Sequence, residues 1–275
     1  VIDQEDRLSK LPDDILMCIL DRLDVLRDAV RTSILSRRRR HVVGLLTEIT
    51  LSAADFEPPE EHSKSAFDVV VQSNMDMVKA VTSILAHKSQ HTIELLSLTF
   101  YLRDESIDIV RSVDHTMENR EVVTASFAIF PEMPDMECTD DDMLFMEDAY
   151  HFFIRVELNR LPKLQRLTCE AWMPSLPLSF GYVPQLWELC LINPGSTLHK
   201  TFKLTDFLGN AIIRQLDLDF QCNRIWIQPE APRQLSLLFQ NLQTVILRNI
   251  YDECDLNWTM FSPRSCSSLE ENFNT

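Results

Sequence analysis

Four short apolar runs of the form L-x-x-L-x-L follow one another through the second half of the 275-residue chain. The clearest is LWELCLIN, which extends from Leu186 to Asn193. LQRLTCEAW precedes it, and IRQLDLDF and LQTVILRN follow it. The middle positions of the four runs are 22, 27 and 29 residues apart: Leu167, Leu189, Leu216 and Val245. One such run would mean little, but four in order indicate a structural repeat.

The spacing is typical of leucine-rich repeats, whose period is roughly 20–29 residues. Two earlier runs, LLTEITL and IELLSLTF, predict further strands, and REVVTASFAIF is a weaker candidate. Between the first two, NMDMVKAVTSILAHK has the periodicity of an amphipathic helix. The sequence therefore predicts an α/β fold in which an irregular leucine-rich-repeat solenoid occupies 91–261. Its strands are parallel, helices or loops cover the convex side, and a connecting strand and helix at 47–90 lead into it.

The first 46 residues have a different, helical periodicity. Pro12 suits the first position of a helix because it needs no N–H partner there, and Asp13 and Asp14 follow where the helix dipole favours negative charge. Three short helices are predicted in a domain at 1–46, and their apolar faces are broader than so small a unit can bury. The excess either packs on the rest of the chain or forms a docking surface.

Two segments have no repeat pattern. Eight acidic residues lie between Glu132 and Asp148, and they predict a solvated acidic loop at 131–148 that leads into a helix over DDMLFMEDAYHFFIRVEL. A calcium loop is a poor alternative, because the glycine and the terminal glutamate of that motif are missing. The last segment, 262–275, is predicted to be an irregular tail.

Composition excludes several classes of function. A net charge of −16 repels phosphate backbones, so we expect no nucleic-acid partner. Four glycines leave no Gly-rich phosphate loop, and the histidines and serines form neither a zinc-protease motif nor G-x-S-x-G. Seven widely spaced cysteines argue against a disulfide framework and a zinc site. We therefore expect no catalysis, cofactor or metal, no membrane association, and a location in the cytoplasm, the nucleus or both.

The N-terminal segment DRLSKLPDDILMCILDRLDVLRDAVRTSILSRRRRHV resembles an F-box of the plant F-box/leucine-rich-repeat, FBD-like type. The resemblance implies that the chain is the substrate-recognition subunit of an SCF-type ubiquitin ligase. It also implies partners: the SCF adaptor, through it the cullin, and a protein substrate held by the repeats. The residues that would anchor on the adaptor are apolar ones along the motif: Leu11, Pro12, Ile15, Ile19, Leu20, Leu23 and Val30.

One position departs from that family. The family commonly has tryptophan after S-R-R, where this chain has Arg39. A buried unpaired guanidinium would be costly, so Arg39 is expected to extend outward along its methylene stem. The resemblance then implies a loosened third helix and weaker adaptor binding.

A protein substrate would meet the concave strand face of the repeats. The candidate contact residues flank the buried leucines of four strands: Arg166, Thr168, Glu170, Glu188, Cys190, Ile192, Gln215, Asp217, Asp219, Thr244, Ile246 and Arg248. An ordinary solvated surface is the alternative for each of them. For the whole chain, the alternatives are a non-degradative interaction scaffold with a weakened F-box and, for Arg37–Arg40, a nuclear-import signal.

Overall fold

The computed structural model describes Pro12, Ile15, 46–57, 66–85, 92–101, Arg103, 106–130, 156–171, 178–193, 203–208, 212–221, 226–228, 230–231, Leu235, 241–250 and 268–273. Ten strands lie in these ranges: β1 Glu48–Ser52, β2 Ile93–Tyr101, β3 Val122–Phe130, β4 Val156–Arg160, β5 Arg166–Ala171, β6 Leu178–Tyr182, β7 Glu188–Ile192, β8 Gln215–Asp219, β9 Thr244–Ile250 and β10 Ser268–Phe273. Three helices accompany them: α1 Ala66–Leu85, α2 Ser106–Asn119 and α3 Leu204–Leu208, with a 3-10 turn at Ala53–Phe56.

Eight strands form one sheet in the order β1-β2-β3-β5-β7-β8-β9-β10, and every neighbouring pair is parallel. Strands β4 and β6 form a second, two-stranded parallel sheet. Parallel neighbours need a crossover connection, which here contains a helix, a short strand or a loop. The α/β fold and the parallel strands predicted from the sequence are confirmed.

The core of the large sheet consists of continuous rows of apolar side chains. Because strand side chains alternate, the two positions that point inward in each strand align from strand to strand. The first row is Ile49, Leu96, Ala125, Leu167, Leu189, Leu216 and Val245, and the second is Leu51, Leu98, Phe127, Cys169, Leu191, Leu218 and Leu247. Every residue of both rows is buried.

A third buried row lies three residues before the first row, at the first position of β2 and β3 and two residues before the start of the other five strands. It consists of Leu46, Ile93, Val122, Leu164, Leu186, Ile213 and Leu242. Leu46 thus belongs to the core of the sheet, although the sequence assigned it to the N-terminal helical domain. Apolar residues of α1, Met77, Val81 and Ile84, are buried in the same cluster, as the amphipathic pattern predicted.

Two sequence predictions are wrong in part. The helix predicted over DDMLFMEDAYHFFIRVEL is contradicted at its end, because β4 begins at Val156 and pairs with β6. The segment 262–275 contains a strand instead of an irregular tail, because Ser268–Phe273 continues the sheet beside β9. Glu271 is paired with Leu247 in the register of β10 and β9. A charged residue therefore occupies the position at which the leucine-rich-repeat pattern has an apolar one. The acidic loop at 131–148 and nearly all of 1–46 lie outside the described residues.

A candidate binding face on the large sheet

The twelve candidate contact residues lie together on the face of β5, β7, β8 and β9 that is opposite the leucine rows, here called the outward face. They form three lines across the strands: Arg166, Glu188, Gln215 and Thr244; Thr168, Cys190, Asp217 and Ile246; Glu170, Ile192, Asp219 and Arg248. Strand alternation is sufficient to produce this grouping once the leucines are buried. Their role in binding stays a prediction.

Asp217 and Arg248 form a two-point ion pair across β8 and β9. Nε of Arg248 donates to Oδ1 of Asp217 at 3.0 Å, and Nη2 donates to Oδ2 at 2.8 Å. Asp217 is only 7% exposed, whereas Arg248 is exposed. The hydrogen bonds with Asp217 raise the pKa of Arg248. The carboxylate is therefore already paired within the chain, and the arginine presents its outer edge to solvent.

Asp219 organises the end of the same two strands. Its Oδ1 accepts from Nδ2 of Asn249 at 2.6 Å and from the backbone N–H of Gln221 at 3.3 Å. Both partners have left-handed backbones, with φ of 51° at Asn249 and 35° at Gln221. Hydrogen bonds to the Asp219 carboxylate stabilise these left-handed conformations, which non-glycine residues otherwise rarely adopt. Asp219 therefore has a structural role, which the sequence pattern did not reveal.

Cys190 lies half-buried at the centre of the outward face. Burial raises the pKa of its thiol from the ordinary 9.0 to about 12, and the carboxylate of Asp217 adds to the increase. On the inner face of β5, burial likewise raises the pKa of Cys169 to about 12. Because the thiolate is the reactive form, neither cysteine is a nucleophile near neutral pH.

The outward face changes character along the sheet. On β2 and β3 it carries neutral side chains, among them Ser97, Ser126 and Ala128, whereas β1 carries Glu48 beside Thr50. On β5, Nε of Arg166 donates to Oγ1 of Thr124 at 3.2 Å. Most charged side chains of this face on the described strands therefore lie on β5, β7, β8 and β9.

A cavity that sequence reasoning missed lies beside this face. It opens at the N-terminal ends of β5, β7 and β8, where Gln165, Trp187 and Arg214 stand side by side. The only signal in the sequence was an aromatic residue and an arginine immediately before two predicted strands. Those two residues do not indicate a cavity in the sequence, because only the register of β5, β7 and β8 brings them next to Gln165.

Only two of the predicted adaptor-binding residues are among the described residues. Pro12 is exposed, and Ile15 is in helical conformation with 43% of its surface exposed. The other five, Leu11, Ile19, Leu20, Leu23 and Val30, lie outside the described residues.

The described ranges contain no group of histidine, cysteine, aspartate or glutamate side chains that could hold a metal ion. No helix within these ranges has the length and apolar character required to cross a bilayer.

Comparison with known proteins gives one relevant similarity. The chain is 34% identical over 84 residues to an F-box protein of Arabidopsis thaliana, which is 30% of this chain and 17% of the length of that relative. No family model matches the chain. No solved structure matches it. The similarity indicates an F-box-like region.

Proposed function

We propose that the chain is the substrate-recognition subunit of an SCF-type ubiquitin ligase. Its N-terminal segment docks on the SCF adaptor, which connects it to the cullin, and the outward face of the sheet binds a protein substrate. The chain performs no chemistry in this role and needs no cofactor. It accelerates ubiquitination by holding the substrate close to the reactive partner, which raises the effective concentration.

The observation that carries this proposal is the 84-residue similarity to an F-box protein. The motif LPDDIL, from Leu11 to Leu16, supports it at the level of single residues. Ile15 supports it further, because an aliphatic side chain that is 43% exposed is available to a partner. Interfaces concentrate their binding energy in a few such anchors.

The arrangement of the large sheet supports a leucine-rich-repeat array as the substrate-binding part. From β5 to β9 the parallel strands follow one another at intervals of 22, 27 and 29 residues, and each contributes inward leucines or their equivalents to the same rows. In such an array the face opposite the leucines is free for ligands, since each repeat buries its apolar side on its neighbours.

The mixed character of the outward face supports a protein as the ligand. Arg166 and Arg248 are exposed, while Ile192 and Ile246 are half-buried between charged neighbours. Exposed arginine beside partly buried aliphatic side chains is common at protein interfaces. With an adaptor and a protein substrate as partners, the chain would act in the cytoplasm, the nucleus or both.

The second candidate is a non-degradative scaffold whose F-box no longer docks. Arg39, in place of the tryptophan common in the family, favours this possibility. Both functions use the outward face, so adaptor binding is what separates them.

Capture of the purified SCF adaptor by the full chain tests the proposal. The wild type should retain the adaptor, and Leu11→Ala/Pro12→Ala should lose it, because each anchoring residue contributes about 2 kcal/mol. Gln72→Ala, an exposed change on α1, is the matched control and should bind as the wild type does. Arg39→Trp should strengthen capture. Absence of the adaptor from both the wild type and Arg39→Trp would contradict the receptor role and favour the scaffold.

A further inference from the structure

A cavity of about 330 Å³ lies at the N-terminal ends of β5, β7 and β8. Its lining includes Gln165, Pro184, Leu186, Trp187, Ile212 and Arg214. None of these residues belongs to the outward face or to the predicted adaptor contacts. The cavity is therefore a separate feature of the sheet.

Backbone hydrogen bonds build the cavity before any ligand arrives. The N–H of Trp187 donates to the carbonyl of Gln165 at 3.0 Å, and the N–H of Arg214 donates to the carbonyl of Trp187 at 2.8 Å. The turn that contains Pro184 is closed by a bond of 3.2 Å from the N–H of Leu186 to the carbonyl of Val183. A site formed in advance loses little freedom when it binds a ligand, which favours affinity.

The apolar part of the cavity is open to solvent. Ile212 is 52% exposed, the largest exposure among the aliphatic side chains described. Trp187 is half-buried beside it, and Leu186 is buried underneath. Covering an aliphatic and an aromatic surface of this kind with another apolar side chain is favourable, and tryptophan is frequent at the centre of interfaces.

Arg214 is the one charged residue among the described residues that line this cavity. Arg214 is exposed, and its guanidinium makes no ion pair with any residue of the described ranges. Two basic side chains at the start of β5 already have partners, because Lys163 lies 3.5 Å from Glu121 and Arg166 donates to Thr124. A guanidinium matches a carboxylate through two parallel hydrogen bonds.

We propose that this cavity binds a short protein segment in which an apolar side chain stands beside a carboxylate. The apolar side chain covers Trp187 and Ile212, and the carboxylate pairs with Arg214. A short segment fits better than a broad acidic surface, because the chain as a whole carries −16 and repels extended negative charge. The proposal goes beyond the receptor role above, since a scaffold could use the same cavity.

An array of short peptides in a Gly/Ser background, with two adjacent positions varied over all amino acids, tests this proposal on the purified full chain. The wild type should select an aliphatic or aromatic residue next to Asp or Glu. Arg214→Glu should weaken binding of the selected peptides by roughly tenfold or more and shift the selection toward Lys and Arg. Arg111→Glu makes the same charge change at an exposed position of α2, away from the cavity. This control should leave the selection of peptides unchanged.

Trp187→Ala tests the apolar half and should abolish the preference for the apolar residue while the circular dichroism spectrum stays that of the wild type. The proposal is overturned if the wild type shows no acidic preference, if it selects basic peptides, or if Arg214→Glu selects as the wild type does. The adaptor is absent from this assay. Absence of peptide selection therefore does not contradict the proposed receptor role. Absence of adaptor capture likewise does not contradict the peptide binding proposed for this cavity.

Discussion

The carboxylates of Asp217 and Asp219 are buried and bonded within the chain, although they stand on the face that could meet a partner. An arginine–carboxylate pair with one exposed member contributes about 1 kcal/mol to stability. Removing Arg248 alone would cost more, because it leaves a buried carboxylate without its partner. Direct contact with a partner on this face is therefore left to the exposed arginines and to the half-buried side chains, both polar and aliphatic.

Cys190 is expected to be unreactive in the folded chain at pH 8. Its pKa of about 12 leaves roughly one thiol in ten thousand ionised at that pH. Iodoacetamide should label Cys190 at least about a hundredfold more slowly in the native chain than in urea, and the native rate should rise about tenfold per pH unit. Mass spectrometry of the Cys190 peptide measures both rates.

The raised pKa of Cys190 also makes the stability of the fold depend on pH. The folded state keeps the thiol protonated to higher pH than the unfolded state, in which the pKa is near 9. The protonated thiol therefore stabilises the fold below pH 9, and this contribution is lost as the pH rises towards 12. Equal labelling of native and unfolded chains at pH 8 would contradict the burial of Cys190.

At the scale of elements, one asparagine joins α1 to the end of β2 and the start of α2. Nδ2 of Asn74 donates to the carbonyl of Tyr101 at 2.9 Å and to Oγ of Ser106 at 3.1 Å, and its Oδ1 accepts from the N–H of Tyr101 at 3.2 Å. Oγ of Ser106 also donates to the carbonyl of Tyr101. Asn74 and Ser106 are fully buried. Because its amide oxygen and nitrogen all have hydrogen-bond partners, Asn74 holds α1, β2 and α2 in one relative position.

Asn74→Ala should lower the free energy of unfolding by about 2–3 kcal/mol, because it removes three hydrogen bonds and takes the acceptor from the backbone N–H of Tyr101. Urea unfolding followed by circular dichroism measures the change. Gln72→Ala is the control two residues earlier on the same helix, where the side chain is exposed and bonds only to Asp76 among the described residues. Its effect should stay within about 0.5 kcal/mol. Equal destabilisation by the two changes would show that the network does not join the elements.

At the scale of the whole molecule, one apolar cluster extends from Leu46 to Ile250. The cluster follows the order of the strands, because each strand of the large sheet packs its inward side chains against those of the neighbouring strands. Leu46 is 3% exposed within it, so the core of the sheet begins before β1.

A variant that lacks residues 1–45 but keeps Leu46 should retain the folded sheet and lose adaptor capture. Thermal unfolding should occur within a few degrees of the wild type. A variant that also lacks Leu46 should unfold at a lower temperature, because removing a buried leucine costs about 2–5 kcal/mol. Collapse of the sheet in the first variant would show that 1–45 is part of the same core, and retained capture would place the adaptor contact elsewhere.

Much of the sheet could be predicted from the sequence, and so could the membership of its outward face. The leucine runs identified β5, β7, β8 and β9, and strand alternation then placed Arg166, Thr168 and their counterparts on one face. The strand β10 could not be predicted, because its second inward position is Glu271. The sequence predicts a helix at the beginning of β4, because the apolar residues there have no clear period of two.

By itself the sequence determined where most strands of the large sheet lie and which side chains they bury, because an alternation of period two depends only on local backbone geometry. Only the tertiary structure decided which polar side chains are available. Asp217 pairs with Arg248 and Asp219 with Asn249 across about thirty residues of chain. The cavity likewise exists only because the register sets Gln165, Trp187 and Arg214 side by side. Contacts over such distances depend on strand pairing, which no local pattern encodes.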